Sequence, residues 1–210
     1  MIWLTELLDD TQVNLYLNEF KEEYFMRCNP IGMGLHVKNN HVTTDEYRTS
    51  DHYRNVAKHV WNTLDPLRQE YYLKCATQPY PTWYKEGDYY DWHRDNYPIG
   101  GVNADYSMTL FLNDDYEGGE LLIKVGDVVT EHKPKAGTVI LYDTGLWHRV
   151  NPVTKGSRKV IVGWHESIIQ NSLIRREMVT MGRELERDTP DWNVIKQVQV
   201  NLIREYGRPL

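Results

Sequence analysis

Of 210 residues only 2 are cysteine, Cys28 and Cys75, and their spacing forms no recognisable framework. A disulfide-held scaffold is thereby excluded, and the two thiols read as ordinary small side chains in a reducing, cytoplasmic setting. The chain also lacks a block of basic residues. Its 24 Lys+Arg stand against 30 Asp+Glu, a net charge of −6, so no nucleic-acid partner is expected. No apolar run reaches the roughly 18 residues of a membrane span. The opening "MIWLTELLDDTQV" turns acidic early and has no basic leader, so it reads as neither signal peptide nor membrane anchor. Internal repeats and low-complexity linkers are missing too, which leaves one continuous globular unit. What is present is apolar and aromatic: 40% hydrophobic and 12% aromatic residues can supply a real core at this length.

Periodicity divides the chain into three zones. Residues 1–78 read as a mainly helical support region. In "SDHYRNVAKHVWNTLDP", Tyr53, Val56, Ala57, Val60, Trp61 and Leu64 share one face, Ser50 is placed to cap the start, and Asp65-Pro66 to stop it. A weaker helix is expected from about Thr11 to Tyr24, with Val13, Leu17, Phe20 and Tyr24 in phase; "GLHVKNNHVTT" reads as extended around a polar turn. Residues 79–167 change character. "YSMTLFLN", "GELLIKV", "GTVILYD" and "RKVIVGWHES" are β-rich runs punctuated by Gly, Pro and Asp turns, the spacing of an antiparallel sandwich or barrel. Residues 168–210 return to helix. Ile169, Leu173, Met178, Met181 and Leu185 form one stripe. Thr189-Pro190 reads as cap and first turn of a second helix with Trp192, Ile195, Val198, Leu202 and Tyr206 inward. Both stripes suit packing on a β core, and part of that surface could serve a homodimer.

The chemistry-bearing stretch is "WYKEGDYYDWHRDNYP", residues 83–98. His93-Arg94-Asp95 has the letters of a kinase catalytic loop, but that loop needs an Asn five residues after the Asp, where this chain has Gly100. A Gly-rich phosphate loop and a D-F-G are missing as well, and the kinase reading fails. A metal reading fares better. In extended chain, residues two apart face the same side, so His93 and Asp95 converge. His148, after the "GTVILYD" run and a Gly turn, supplies a third donor. Two histidines and one carboxylate leave coordination positions open, which suits non-haem Fe(II) rather than structural zinc. Oxygen activation at such an ion needs an extra electron pair, and 2-oxoglutarate can provide it while leaving a position for O2. Its far carboxylate requires a fixed cation, best an arginine fork. Arg158 lies ten residues beyond His148 across a "PVTKG" turn, and Tyr84 is placed to donate to the same carboxylate.

The segments "YKEGDYYDWHRDN", "TLFLNDDYEGGEL" and "KPKAGTVILYDTGLWHRVNPVTKGSRKVIVGWHES" together resemble the Fe(II)/2-oxoglutarate dioxygenases of the prolyl 4-hydroxylase type, and among them the PKHD-type hydroxylases. The resemblance implies a mainly β double-stranded β-helix (jelly roll) over 79–167, with N-terminal helices packed on it and a helical C-terminal extension. It implies iron held by His93, Asp95 and His148, 2-oxoglutarate held by Arg158, and Trp164 on a pocket-lining strand. Hypoxia-sensing relatives carry a cosubstrate tyrosine where this chain has Phe111, which shifts that work to Tyr84 with Thr109. The implied activity is hydroxylation of a C–H bond on a prolyl, other peptide-borne or amino-acid substrate, with release of succinate and CO2 and with L-ascorbate as reductant. A carboxylate at Asp95 argues for hydroxylation, since related halogenases replace it by a small residue. Two alternatives stand beside it. An AlkB-like nucleic-acid demethylase would place a second arginine six residues after Arg158, where this chain has Trp164. A non-catalytic metal-binding jelly-roll module would bind iron without turnover. The remaining histidines, His36, His41, His52, His59, His132 and His165, lack partners at useful spacing and read as surface or helix-face residues.

Overall fold

Alternation of side chains along the central strands sets the architecture, because those strands are covered on both faces. The computed structural model describes residues 1–28 and 37–206. In chain order the first strands are β1 (Ile2–Glu6), β2 (Phe25–Arg27), β3 (Lys38–Asn39), β4 (His41–Thr43), β5 (Leu73–Ala76), β6 (Tyr80–Tyr84) and β7 (Tyr89–His93). They are followed by β8 (Tyr106–Phe111), β9 (Glu117–Gly118), β10 (Leu121–Val125) and β11 (Val128–His132). The last four are β12 (Thr138–Asp143), β13 (Trp147–Val150), β14 (Val153–Lys155) and β15 (Arg158–Ser167). The helices are α1 (Asp10–Leu17), α2 (Asp45–Thr49), α3 (Asp51–Thr63), α4 (Asp65–Glu70), α5 (Ser172–Leu185) and α6 (Trp192–Tyr206).

The larger sheet runs β1-β12-β8-β15-β6-β4-β2, with β5 pairing to the far end of β15. The smaller runs β11-β10-β13-β7-β3, and β9 and β14 form a short ribbon. Neighbouring strands pair antiparallel throughout. Every residue of β8 is buried. Tyr106, Met108 and Leu110 join a core with Val60 and Leu64 around the end of α3, Leu67 of α4 and Val179 of α5. Phe111 faces the other way, into a second core with Leu121, Ile123 and Val150 of the smaller sheet. On β12, Val139 and Leu141 join the first core, Ile140 and Tyr142 the second. Two opposed sheets with helices on the outer face of the larger one make a double-stranded β-helix with helical additions. No helix is long and apolar enough to cross a membrane among the described residues.

Local signals were overridden in several places. The first zone gives strands as well as helices to the fold: β1 pairs with β12 from Ile2↔Tyr142 to Glu6↔Thr138, and Trp3 packs edge-on against Tyr71 and Tyr106. A single edge strand of five residues carries too little alternation to be read. The helix expected to reach Tyr24 stops at Leu17, because Phe20 leaves the helical path to stack on Phe25 at 5.1 Å. Its start is a capping box between Asp9 and Gln12. Ser50 caps α3 as expected, its Oγ accepting the Tyr53 N–H at 3.1 Å. α3 ends at Thr63, just before Asp65-Pro66 as expected, and the same pair also opens α4, where a first-turn proline gives up no intrahelical bond.

At the other end Asp191, not Thr189, caps α6, accepting the Asn193 N–H at 2.9 Å. Ile195 and Val198 point inward, whereas Trp192 and Tyr206 are exposed. In α5 the buried positions are Arg175, Glu177, Val179 and Glu184, and Leu185 is exposed. Arg175 takes the place expected of an apolar stripe because it donates to Asp105 at 2.9 Å and to the Ile169 carbonyl at 2.8 Å. His165 is buried on β15 rather than at the surface, its ring edge-on to Trp61. His41 and His52 also have partners, Asp88 at 3.0 Å and Glu19 at 2.7 Å. Gly34, Leu35 and His36 of the expected extended stretch lie outside the described residues.

Candidate functional site

His93 closes β7, and His148 lies in β13. The two strands pair so that these residues face each other directly, with ring centroids 4.1 Å apart. Each imidazole is oriented the same way. Nδ1–H of His93 donates to the Asp91 carbonyl at 2.7 Å, and Nδ1–H of His148 to the Leu146 carbonyl at 3.0 Å, both two residues upstream. A carbonyl can only accept, so Nδ1 carries the proton and the free lone pair lies on Nε2. The Asp95 carboxylate, just past the end of β7, stands 3.8 Å from His93 Nε2 and 3.7 Å from His148 Nε2. One donor atom from each of the three falls within 4.8 Å of the others. Tyr90 stacks flat on His93 at 3.5 Å. Burial, followed by the neighbouring His148, lowers the His93 pKa to about 4, so the imidazole stays neutral and able to ligate. Two aligned nitrogens and a carboxylate on one side of a cavity fit an open iron site better than a closed tetrahedral one.

The same cavity reaches Arg158. This side chain is 2% exposed. Its guanidinium carbon lies 5.0 Å from both the Tyr84 and the Phe111 ring centroids. Among the described residues no carboxylate pairs with it, and its Nε has no hydrogen-bond partner. A buried cation without a counter-charge is costly, so the arrangement fits an anion entering from the cavity. Tyr84, opposite Arg158 in the β6–β15 ladder, is buried and keeps its phenol protonated: burial raises its pKa, against a lowering by Arg158. The residues present therefore fit both the metal and a dicarboxylate cosubstrate.

Of the other expected residues, Thr109 and Trp164 line the cavity, Thr109 from β8 and Trp164 from β15. Phe111 is fully buried behind Arg158 and is not part of the cavity wall. Four further residues escaped the sequence reading. Ser107 and Tyr142 pair across β8 and β12 and line the cavity, as does Tyr90. Asn40 is fully buried, with its side chain beside the Tyr84 hydroxyl. The available signal was polarity in the wrong place. Ser107 and Thr109 interrupt an otherwise apolar strand on the face that Tyr142 shares, and polar groups inside a sandwich need a purpose.

Known proteins resemble this chain across the jelly-roll core and beyond it. The 2OG-Fe(II) oxygenase superfamily model matches residues 80–166. A PKHD-type hydroxylase of Acaryochloris marina is 39% identical over 133 residues, 59% of this chain and 60% of the relative. One from Idiomarina loihiensis is 33% identical over 158 residues, 69% of this chain and 72% of the relative. One from Rippkaea orientalis is 29% identical across 99% of this chain and 100% of its own length. Among solved structures, a Pseudomonas putida prolyl-4-hydroxylase superposes with a TM-score of 0.60 at 18% identity, covering 79% of this chain and 92% of that one. At that identity the likeness shows the fold, the jelly roll derived above. The chain belongs to the 2OG-Fe(II) oxygenase superfamily and, within it, to the PKHD-type hydroxylases.

Proposed function

We propose that this protein is an Fe(II)- and 2-oxoglutarate-dependent dioxygenase that hydroxylates a C–H bond of a prolyl or other peptide-borne residue. The observation that carries the reading is one cavity with His93, Asp95 and His148 at one side and, at another, the buried Arg158, which no carboxylate pairs with among the described residues. Family membership supports the reaction class. The peptide substrate rests on likeness to prolyl hydroxylases, one of them a Trichoplax adhaerens protein in complex with a hypoxia-inducible-factor peptide fragment.

In this reading His93 and His148 bind iron through Nε2, and Asp95 supplies the anionic ligand. Iron together with 2-oxoglutarate and O2 supplies the oxidising power, the cosubstrate leaving as succinate and CO2. The chain does the rest by placement. The carbonyls of Asp91 and Leu146 fix both rings before the metal arrives. Arg158 offers its fork to the far carboxylate, and Tyr84, its neighbour across the ladder, supplies a phenol donor to the same anion. Apolar walls from Leu121, Val150 and Val162 exclude water around the polar groups. Ascorbate would be the external reductant such a site calls on.

The test is anaerobic addition of Fe(II) and 2-oxoglutarate, read as a weak visible charge-transfer band. The band is expected in the wild type and lost in His148→Ala. Its absence from the wild type overturns the proposal. A peptide and amino-acid panel scored by succinate release then separates an enzyme from a metal-holding module.

A further inference from the structure

Asp95 uses its two oxygens differently. Oδ2 accepts a hydrogen bond from Ser107 Oγ at 2.7 Å and another from Trp164 Nε1–H at 2.7 Å. Oδ1 accepts none among the described residues. Both oxygens face the ligand nitrogens, Oδ1 lying 3.8 Å from His93 Nε2 and Oδ2 3.7 Å from His148 Nε2, so the two donors are what set them apart. We propose that Trp164 and Ser107 are positioning residues that hold Oδ2 of Asp95 and thereby reserve Oδ1 for the metal. The inference rests on the iron-site reading above and assigns a role inside it.

The argument runs through lone pairs. A carboxylate oxygen has about two acceptor sites, and two donors reach Oδ2. Hydrogen bonds to an ionised acceptor are the strong kind, so Oδ2 is a poor competitor for a cation while they last. Without them the carboxylate is free to chelate through both oxygens. That would use up one of the positions which the cosubstrate and O2 require.

The surroundings hold both donors in place. Ser107 Oγ is also 3.2 Å from Thr144 Oγ1. Ser107 has one proton, and the shorter contact, 2.7 Å to Oδ2 of the carboxylate, is the stronger claim on it. Trp164 donates its backbone N–H to Thr77 Oγ1 at 3.2 Å, and its ring sits edge-on to Tyr80 at 5.7 Å. It lies on β15 six residues beyond Arg158, on the same cavity face. One strand therefore presents the cosubstrate cation at one point and the Asp95 clamp at another. The indole N–H is what distinguishes this position from ordinary packing, since a phenylalanine would fill similar space.

The test uses the full chain as purified wild type, Trp164→Phe and Ser107→Ala. Mn(II) affinity is measured by calorimetry, coordination by the visible spectrum of the Co(II)-loaded proteins, and folding by the melting temperature without metal. Partners behind a metal ligand commonly contribute roughly 10–100-fold in affinity. Each variant is expected to bind Mn(II) at least about tenfold more weakly, with shifted Co(II) bands and a melting temperature near the wild-type value. If Trp164→Phe does not fold, Ser107→Ala decides alone. A folded variant of either kind with wild-type affinity and spectrum overturns the proposal. A wild type that binds no Mn(II) instead sinks the iron-site reading on which it rests.

Discussion

Tyr84 stands directly across the β6–β15 ladder from Arg158, with the guanidinium carbon 5.0 Å from its ring centroid. Phe111 covers the guanidinium at the same distance from elsewhere in the core. Aromatic faces offset part of the cost of burying the cation, but they leave its Nε without an acceptor. The free protein therefore carries a charge that a bound carboxylate would settle. Arg158→Met should remove that burden. The variant is expected to melt at or above the wild type, by about 1–3 kcal/mol, while 2-oxoglutarate no longer raises its melting temperature. Arg158→Lys keeps the charge and loses the fork, and its KM for 2-oxoglutarate should rise by roughly tenfold or more. An Arg158→Met protein still stabilised by 2-oxoglutarate would place the anion elsewhere.

The facing histidines lead to a second expectation. Because both rings are fixed by backbone carbonyls, the metal meets a prepared site and binding should register as stability. At a concentration one hundred times Kd, a ligand specific for the folded state adds about 2.7 kcal/mol. Mn(II) should raise the wild-type melting temperature, EDTA should reverse the rise, and His148→Ala should show neither effect. Equal stabilisation of the variant would mean that the ion sits away from His148.

How much of this was legible beforehand differs by element. The β-rich runs of the middle zone, the α3 stripe and its Ser50 cap were readable because local pattern and tertiary role agree there. His93, Asp95, His148 and Arg158 were singled out by their setting and by resemblance, not by the His-x-Asp spacing, which chance alone supplies often, and the fold brings the four around one cavity. Strand β1 was not readable, since the strand it pairs with, β12, lies far along the chain. Tyr142 and Asn40 were hidden for a related reason. Each has meaning only through a partner on another strand, Ser107 for one and Tyr84 for the other. The interior of α5 misled because Arg175 is buried through its hydrogen bonds to Asp105 and the Ile169 carbonyl rather than by apolar character. Trp164 was read as a cavity wall; its bond to Asp95 depends on where the indole nitrogen points, which no pattern records.

Two glycines separate backbone strain from steric exclusion. Gly126 and Gly118 both adopt positive φ, +61° and +70°. A Cβ at Gly126 would meet nothing within 4 Å, whereas at Gly118 it would lie 2.2 Å from the Pro152 carbonyl oxygen. Gly126→Ala should cost only the left-handed backbone penalty, about 1–2 kcal/mol. Gly118→Ala must also push the β9–β14 ribbon apart, and a loss above about 3 kcal/mol is expected. At roughly 2–4 °C per kcal/mol for a chain of this size, thermal melting resolves the two. Similar losses would show that the ribbon yields without resistance.

His165 gives the chain a pH dependence whose sign can be worked out. It is fully enclosed on β15, with Nε2 3.4 Å from Met108 Sδ and its ring against Trp61. Burial, aided by the positive charge of Arg68, lowers its pKa to about 3. In the unfolded chain the same imidazole titrates near 6.5. Below that pH the unfolded state takes up a proton that the folded state refuses, so stability is complete above about 6.5 and declines as pH falls toward 3. Each unit in that window costs up to about 1.4 kcal/mol, or roughly 2 kcal/mol between pH 6.5 and 5. The other titrating groups, His93 among them, contribute to the same slope, so the measurement must be a difference. Urea unfolding of wild type and His165→Leu from pH 7.5 to 4.5 supplies it, because contributions common to both proteins cancel. The wild type should lose ground steadily to the variant as the solution is acidified. A difference that stays level across that range would mean that His165 accepts its proton inside the folded core.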